Sequence, residues 1–350
     1  MDIRITPAAE SRLKEVNMQN VPFGKHFTDH MLISIYSNGA WSDPEIKPFQ
    51  PLTLSPSNAA IHYGQSIFEG IKAYRHADGT CHIFRPHDNY LRFNKSAERL
   101  QMPAVPENIF MEGMKKLIDI DRNWVPDFPD HSLYIRPFMF AMDETIGVKP
   151  SETYAFMIIL SPTGPYYAAP MRIYVEEHYV RAVPGGIGFA KAAGNYAAAM
   201  YATAEAKKKG FDQVLWMDAI EHKYVQECGT MNVFFIFENE AVTPDLKEGT
   251  ILAGVTRDSV IEVLKDTGLK VSERSISIDE IISSYNAGTL KEVFGTGTAA
   301  TISPIKELGY KDIRMEFNVD TWKVAPQIKE KLTNIREGRA ADNRSWLVKI

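Results

Sequence analysis

Apolar positions recur along this chain in two rhythms. Tyr90, Phe93, Ala97 and Leu100 fall three or four residues apart, which predicts a helix opened by Pro86. Phe110, Met114, Leu117 and Ile118 predict a second helix, bounded by Pro106 and Pro126. Between and around them are short apolar runs: Met31–Tyr36, Ile67–Tyr74, Thr80–Phe84, Ser132–Phe140 and Tyr154–Leu160, each expected to be a strand. Ala77-Asp78-Gly79 joins two of these runs as a hairpin, with glycine supplying the positive φ. A short helix is expected over 7–16, and loops through the Pro-, Asn-, Asp- and Ser-rich remainder of 20–55. The first part therefore reads as an antiparallel sheet with helices packed on it.

From Ser161 to Pro170 the prolines and glycine fit neither rhythm, so this stretch is the linker candidate. Beyond it, Arg172–Val180 starts a second sheet, and Tyr196–Lys209 predicts an Ala-rich helix closed by Gly210. Val214–Met217 and Val233–Phe237 read as buried strands. Val255-Thr256-Arg257-Asp258 introduces a helix with Val260, Ile261 and Leu264 on one side. Glu292–Phe294 is a strand running into Gly295-Thr296-Gly297-Thr298, and Ile328, Leu332 and Ile335 mark a late helix. The expected class is α+β (mixed α/β), in two domains, each a largely antiparallel sheet flanked by helices. The domains are expected at 1–163 and 176–350, joined by a linker at 164–175, with Lys191 in the larger second one.

At 350 residues the chain exceeds one average domain. A net charge of -5 argues against a nucleic-acid partner, and Lys207-Lys208-Lys209 reads as a solvated helix end. Cys81 and Cys228 offer neither a disulfide framework nor metal-ligand spacing, and the histidines form no His-x-x-x-His pair, so no metal is expected. No apolar segment opens the chain and no run is long enough to span a bilayer, so the expectation is a cytoplasmic protein without a membrane partner.

Several residues change the picture from fold to chemistry. Lys191 lies in Gly185-Gly186-Ile187-Gly188-Phe189-Ala190-Lys191-Ala192-Ala193-Gly194-Asn195-Tyr196. Small neighbours leave room beside the amine, and apolar surroundings penalise its charged form. A surface lysine in a glycine-rich loop is the plain alternative. Gly254-Val255-Thr256 is either a phosphate-binding helix N-terminus or an ordinary cap. Gly295-Thr296-Gly297-Thr298 is either a phosphate turn or a plain one, without the ending of a nucleotide loop. Glu227, beside the strand Val233–Phe237, wants a salt bridge or a protonated ring nitrogen. Tyr134 and Arg136 share one face of a strand, and that arginine wants a carboxylate from protein or ligand. Tyr63 and Phe68, beside Gly64 and Gly70, are either core or the wall of an apolar pocket. Arg92 falls off the apolar stripe of its helix and reads as solvated.

Taken together and in order, Tyr63-Gly64, Phe68-Glu69-Gly70, Tyr134-Ile135-Arg136-Pro137, Lys191 before Gly194-Asn195-Tyr196, Glu227-x-Gly229-Thr230-Met231-Asn232, Gly254-Val255-Thr256-Arg257 and Gly295-Thr296-Gly297-Thr298-Ala299 resemble the branched-chain amino acid aminotransferases. These are pyridoxal-phosphate enzymes of fold type IV. The resemblance runs from about residue 25 to the C-terminal region. It implies that Lys191 bonds covalently to pyridoxal 5′-phosphate and moves the proton at the substrate's Cα. It implies Tyr196 at the cofactor's phenolate, Glu227 at its pyridine nitrogen, and Arg92, Val255, Thr256 and Thr298 around its phosphate, against the solvated reading of Arg92. Tyr63, Phe68 and Tyr134 become pocket walls, Thr298–Ala299 the α-carboxylate turn, and Arg136 the group for a distal carboxylate. The implied reaction is ping-pong transamination between L-leucine, L-isoleucine or L-valine and 2-oxoglutarate, giving branched-chain 2-oxo acids and L-glutamate. A homodimer or higher homo-oligomer is also implied, with Tyr63 and Ile146-Gly147-Val148 reaching the partner's site. Ala300 and Ser303 stand where some members carry a redox Cys-x-x-Cys, so thiol regulation there is not expected.

Overall fold

A computed structural model describes residues 2–164 and 169–350. Part of the expected linker, 165–168, lies outside the described residues. The chain divides into two compact units that are discontinuous in sequence. The first comprises the described residues of Met1–Tyr166 with Ala190–Gly194 and Asn334–Ile350; the second comprises those of Tyr167–Phe189 and Asn195–Thr333.

In chain order the strands begin with β1 (Arg4–Ile5), β2 (His30–Ser37), β3 (Ala40–Trp41), β4 (Glu45–Pro48), β5 (Ser66–Phe68), β6 (Ile71–Arg75), β7 (Cys81–Phe84), β8 (Ser132–Ala141) and β9 (Tyr154–Thr163). They continue with β10 (Met171–Val175), β11 (Gln213–Met217), β12 (Val225–Cys228), β13 (Asn232–Phe237), β14 (Glu240–Thr243), β15 (Lys270–Glu273), β16 (Leu290–Gly297), β17 (Thr301–Tyr310), β18 (Ile313–Glu316) and β19 (Leu347–Lys349). The α-helices are α1 (Ala59–Tyr63), α2 (Pro86–Arg99), α3 (Glu107–Ile120), α4 (Ala193–Lys208), α5 (Val255–Lys265), α6 (Ile278–Asn286) and α7 (Val324–Arg336).

The first unit is built on one sheet in the order β1-β4-β2-β9-β8-β6-β7-β19, with β3 on β2 and β5 on β8. Every pairing is antiparallel except β1 with β4. β8 and β9 are its longest pair and are buried on both faces over most of their length, which is why they read as nearly continuous apolar runs. The stripe predicted for α2 buries Phe93 and Ala97; Phe93 meets Phe110 of α3 and Phe156 of β9 at ring separations of 5.5 and 5.6 Å. Gly113 lets α3 approach β2 closely, since a Cβ there would lie 2.7 Å from Leu32 Cδ1.

The second unit carries a sheet in the order β12-β11-β10-β17-β16-β13-β14-β15, with β18 on β17. This sheet is mixed, because β10 runs parallel to both β11 and β17 and β14 parallel to β15. The largely antiparallel expectation fits the first sheet more closely than the second.

Some predicted elements change. The helix over 7–16 is only a 3₁₀ turn, Arg12–Glu15, with no buried residue. Its backbone is drawn off by Asp29, whose carboxylate accepts from Arg12 N (2.8 Å) and Ser11 Oγ (2.6 Å). The run Ile67–Tyr74 breaks at Glu69-Gly70 into β5 and β6, where Gly70 leaves space for the Tyr134 hydroxyl that a Cβ would strike. The strand expected over Arg172–Val180 stops at Val175, because Glu176 turns back to accept the N–H groups of His178 and Tyr179. Residue 254 rather than Thr256 caps α5. Thr298–Ala300 form the turn between β16 and β17, with Gly295-Thr296-Gly297 still in the strand.

Candidate active site

In the first unit, the segment Ala190–Gly194 is joined to β5. Phe68 N donates to Lys191 O at 3.1 Å, and Ala192 bridges Ile67. The Lys191 amine consequently lies 4.9 Å from the centroid of the Phe68 ring. Arg136, on β8 beside β5, places its guanidinium carbon 4.6 Å from that same ring and donates from Nη2 to the Tyr134 hydroxyl at 2.9 Å. Phe23 meets the Tyr134 ring edge-on at 4.9 Å. The buried Nε of Arg136 has no hydrogen-bond partner, so this apolar wall retains one unmet donor. Lys191, Phe68, Tyr134 and Arg136 are thus brought together.

Tyr63 ends α1 before Gly64, whose φ of 67° caps the helix, and its side chain is exposed. Arg92 is not solvated. Glu69, fully buried, takes it by a two-point pair: Nε to Oε1 at 2.8 Å and Nη2 to Oε2 at 2.7 Å.

In the second unit, Glu227 is part of β12 and is 3% exposed. Arg181 supplies its counter-charge, with Nε 3.1 Å from Oε2, and Leu252 N donates to Oε1 at 2.7 Å. Arg181 is held in turn by the carbonyls of Gly188 (3.0 Å) and Thr250 (2.8 Å). Beside Glu227, burial pushes the Cys228 thiol up to about 12. Asn232 anchors the chain before α5 through Leu252 O, and residue 254 must be glycine-sized, since a Cβ there would collide with Asn232 Oδ1. Val255 and the buried Thr256 follow at the helix N-terminus, the positive end of its dipole. Thr296 has a buried hydroxyl without a partner, and Thr298 and Ala299 occupy the turn that follows β16. Tyr196 is a partly buried residue of α4.

Residues 66–308 match the family described as Amino-transferase class IV. A probable branched-chain-amino-acid aminotransferase of Staphylococcus aureus (strain N315) is 47% identical over 347 residues, 97% of this chain and 96% of that protein. The chain belongs to the branched-chain amino acid aminotransferase family, within class IV. Branched-chain-amino-acid transaminase 1 of Bacillus subtilis (strain 168) is likewise 47% identical, over 94% of each chain. Among solved structures, the Escherichia coli branched-chain amino acid aminotransferase is 27% identical with a TM-score of 0.70, covering 90% of this chain and 98% of that one. The T.th. branched-chain amino acid aminotransferase complexed with N-(5′-phosphopyridoxyl)-L-glutamate is 29% identical with a TM-score of 0.70, covering 90% and 97%. These structures share the mixed α/β architecture of fold type IV expected from the motifs.

This aminotransferase is a pyridoxal-phosphate enzyme, and each unit, taken by itself, carries groups of the kinds that cofactor requires. The first unit offers an amine beside an apolar ring and a guanidinium; the second offers a buried carboxylate, a helix N-terminus and an unpartnered buried hydroxyl. Among the described residues no helix is long and apolar enough to cross a membrane, and no cluster of metal-ligating side chains occurs. Sequence reasoning missed Arg181 and the Arg92 partner Glu69. Glu69 lies inside the Phe68-Glu69-Gly70 motif, and a carboxylate between apolar strand residues was the available signal.

Proposed function

We propose that the enzyme transfers the amino group of L-leucine, L-isoleucine or L-valine to 2-oxoglutarate, reversibly and by alternate binding of the two substrates at one site. The observation that carries this reading is the wall formed by Phe68, Tyr134 and Arg136. It is apolar enough for a branched side chain, yet its guanidinium keeps an unpaired buried donor suited to a distal carboxylate. The T.th. relative, complexed with a phosphopyridoxyl derivative of glutamate, supports a glutamate partner.

Pyridoxal phosphate, when bound, supplies the electron sink for deprotonation at Cα. Toward it, Lys191 would provide the amine for the covalent link and would take or return the Cα proton. Tyr196 would donate to the cofactor's ring oxygen, Glu227 would pair with its ring nitrogen, and Arg92, Val255, Thr256 and Thr298 would hold its phosphate. Glu227, held by Arg181 and the Leu252 N–H, is a buried negative charge of the kind that favours a protonated ring nitrogen. Tyr63, Phe68 and Tyr134 confine the substrate side chain, Arg136 pairs with a distal carboxylate, and Thr298–Ala299 receive the α-carboxylate.

We further infer a homodimer or higher homo-oligomer. Supporting it are four exposed apolar side chains, Ile61 (63%), Tyr63 (40%), Ile146 (73%) and Val148 (90%). The two segments that carry them are tied by the Asn58–Glu144 bridge. For the division at 1–163, 164–175 and 176–350, the support is that β1–β9 belong to one sheet and β11–β18 to the other; against it, β10 lies within 164–175, β19 joins the first sheet, and Lys191 groups with the first unit rather than the second. A cytoplasmic location completes the reading and accords with two free cysteines.

The test is glutamate formation from L-leucine and 2-oxoglutarate, with D-leucine inert. Arg136→Met raises KM for 2-oxoglutarate by roughly 10- to 100-fold while KM for leucine moves less than about threefold, as expected for loss of a charged hydrogen bond. No glutamate from L-leucine, or equal shifts in both KM values, contradicts the assignment.

A further inference from the structure

A serine in the interior of a helix is a weak choice for helix stability, because its hydroxyl competes for backbone groups. Ser96 is such a residue, in the last turns of α2, and it is only 1% exposed. Its hydroxyl has two partners. It donates to Arg92 O one turn back at 3.0 Å and accepts from Lys191 N at 2.9 Å.

These bonds belong to a closed circuit within the first unit. Phe68 N donates to Lys191 O at 3.1 Å. Lys191 N donates to Ser96, and Ser96 to the carbonyl of Arg92. The Arg92 guanidinium pairs with both oxygens of Glu69, the residue that follows Phe68. Glu69 is itself pinned by its N–H to Pro137 O at 2.7 Å. The circuit ties the main chain on both sides of the lysine to the helix that bears the arginine. An amine on a four-carbon stem delivers its nitrogen accurately only when its Cα is fixed, and misplacement of about 1 Å costs roughly 100-fold in rate.

We propose that Ser96 is a positioning residue: its hydroxyl sets the main chain of Lys191 relative to Arg92, and so holds the cofactor-bonding amine at a fixed offset from the phosphate anchor. The proposal rests on the roles given above to Lys191 and Arg92. Glu69 closes the same circuit and fixes the guanidinium from the opposite end.

The experiment compares wild-type holoenzyme with Ser96→Ala, which deletes the hydroxyl, and Ser96→Thr, which keeps it. Ser96→Ala is expected to lower kcat about tenfold with KM for leucine within twofold, and to speed cofactor loss on dilution about tenfold, each equivalent to about 1.4 kcal/mol. Ser96→Thr recovers most of both. Amide hydrogen exchange of the wild-type protein gives a readout independent of activity and of the variants' folding. The Lys191 amide should be protected at least about 100-fold over its exposed neighbour Gly194, and Ser96→Ala should erase most of that protection. An unprotected Lys191 amide in the wild-type protein overturns the proposal. So does Ser96→Ala with kcat and cofactor retention within twofold of wild type, or equal losses in the Ala and Thr variants. Strong protection in a protein that does not retain pyridoxal phosphate would instead refute the roles of Lys191 and Arg92 while leaving the hydrogen bond in place.

Discussion

Lys191 in the first unit and Glu227 in the second are held in opposite ways. The lysine is placed by its main chain: a carbonyl and an N–H take the hydrogen bonds, and the amine stays beside an aromatic ring. The carboxylate is placed by its side chain, clamped by Arg181 and the N–H of Leu252 in a buried strand. The difference follows from the chemistry asked of each. In the reading proposed above Lys191 forms and breaks a covalent bond, and hydrogen bonds at both its N–H and its carbonyl fix where its side chain starts. A group that offers a fixed charge must not move, and burying that charge requires a counter-ion and full hydrogen bonding.

The contrast can be broken by mutation. Arg181→Met removes the Arg181 counter-charge from the buried Glu227 carboxylate and is expected to destabilise the protein by about 3–5 kcal/mol, read from denaturant midpoints. A loss under about 1 kcal/mol would mean that Glu227 is stabilised in some other way.

Lys72 sharpens the same point, because it is a lysine buried as Glu227 is but facing a like charge instead of a counter-ion. Burial and the charge of Arg336 push its amine down to about 7, against a usual 10.5. The unfolded chain therefore binds this proton more tightly, and between pH 7 and 10.5 stability rises with pH, by up to about 1.4 kcal/mol per unit from this group. Lys72→Met should be more stable than wild type at pH 7, with the gap closing as pH approaches 10. A gap that stays constant with pH contradicts the burial argument. Lys191→Ala is expected to have the smallest effect on stability, about 1 kcal/mol or less in cofactor-free protein, because the backbone hydrogen bonds of residue 191 with Phe68 and Ser96 survive the substitution. A loss comparable to that of Arg181→Met would erase the distinction.

What could be read from the sequence divides along similar lines. Features defined by their immediate neighbours were legible: the shared face of Tyr134 and Arg136 by strand alternation, and the α2 and α3 faces by their periodicity, whereas the glycines and alanines around Lys191 left a surface lysine open. Groups defined by a distant partner were not. Arg92 reads as solvated from its own helix, and only Glu69, 23 residues away, explains its burial. The 7–16 segment looks helical until Asp29 takes its backbone and side-chain donors. Strand β12 escaped notice because four residues containing Gln226 and Glu227 carry little apolar signal, and their burial comes from sheet neighbours. Parallel pairing in the second sheet was equally invisible, since it depends on which strands meet after long connections.

The central claim is that the amine of residue 191 carries the cofactor. Borohydride reduction of the purified holoenzyme followed by peptide mapping measures this directly. The account predicts a single stable pyridoxyl modification at Lys191, absent from Lys191→Ala; a modification at Lys72 or any other lysine, or none, would contradict it.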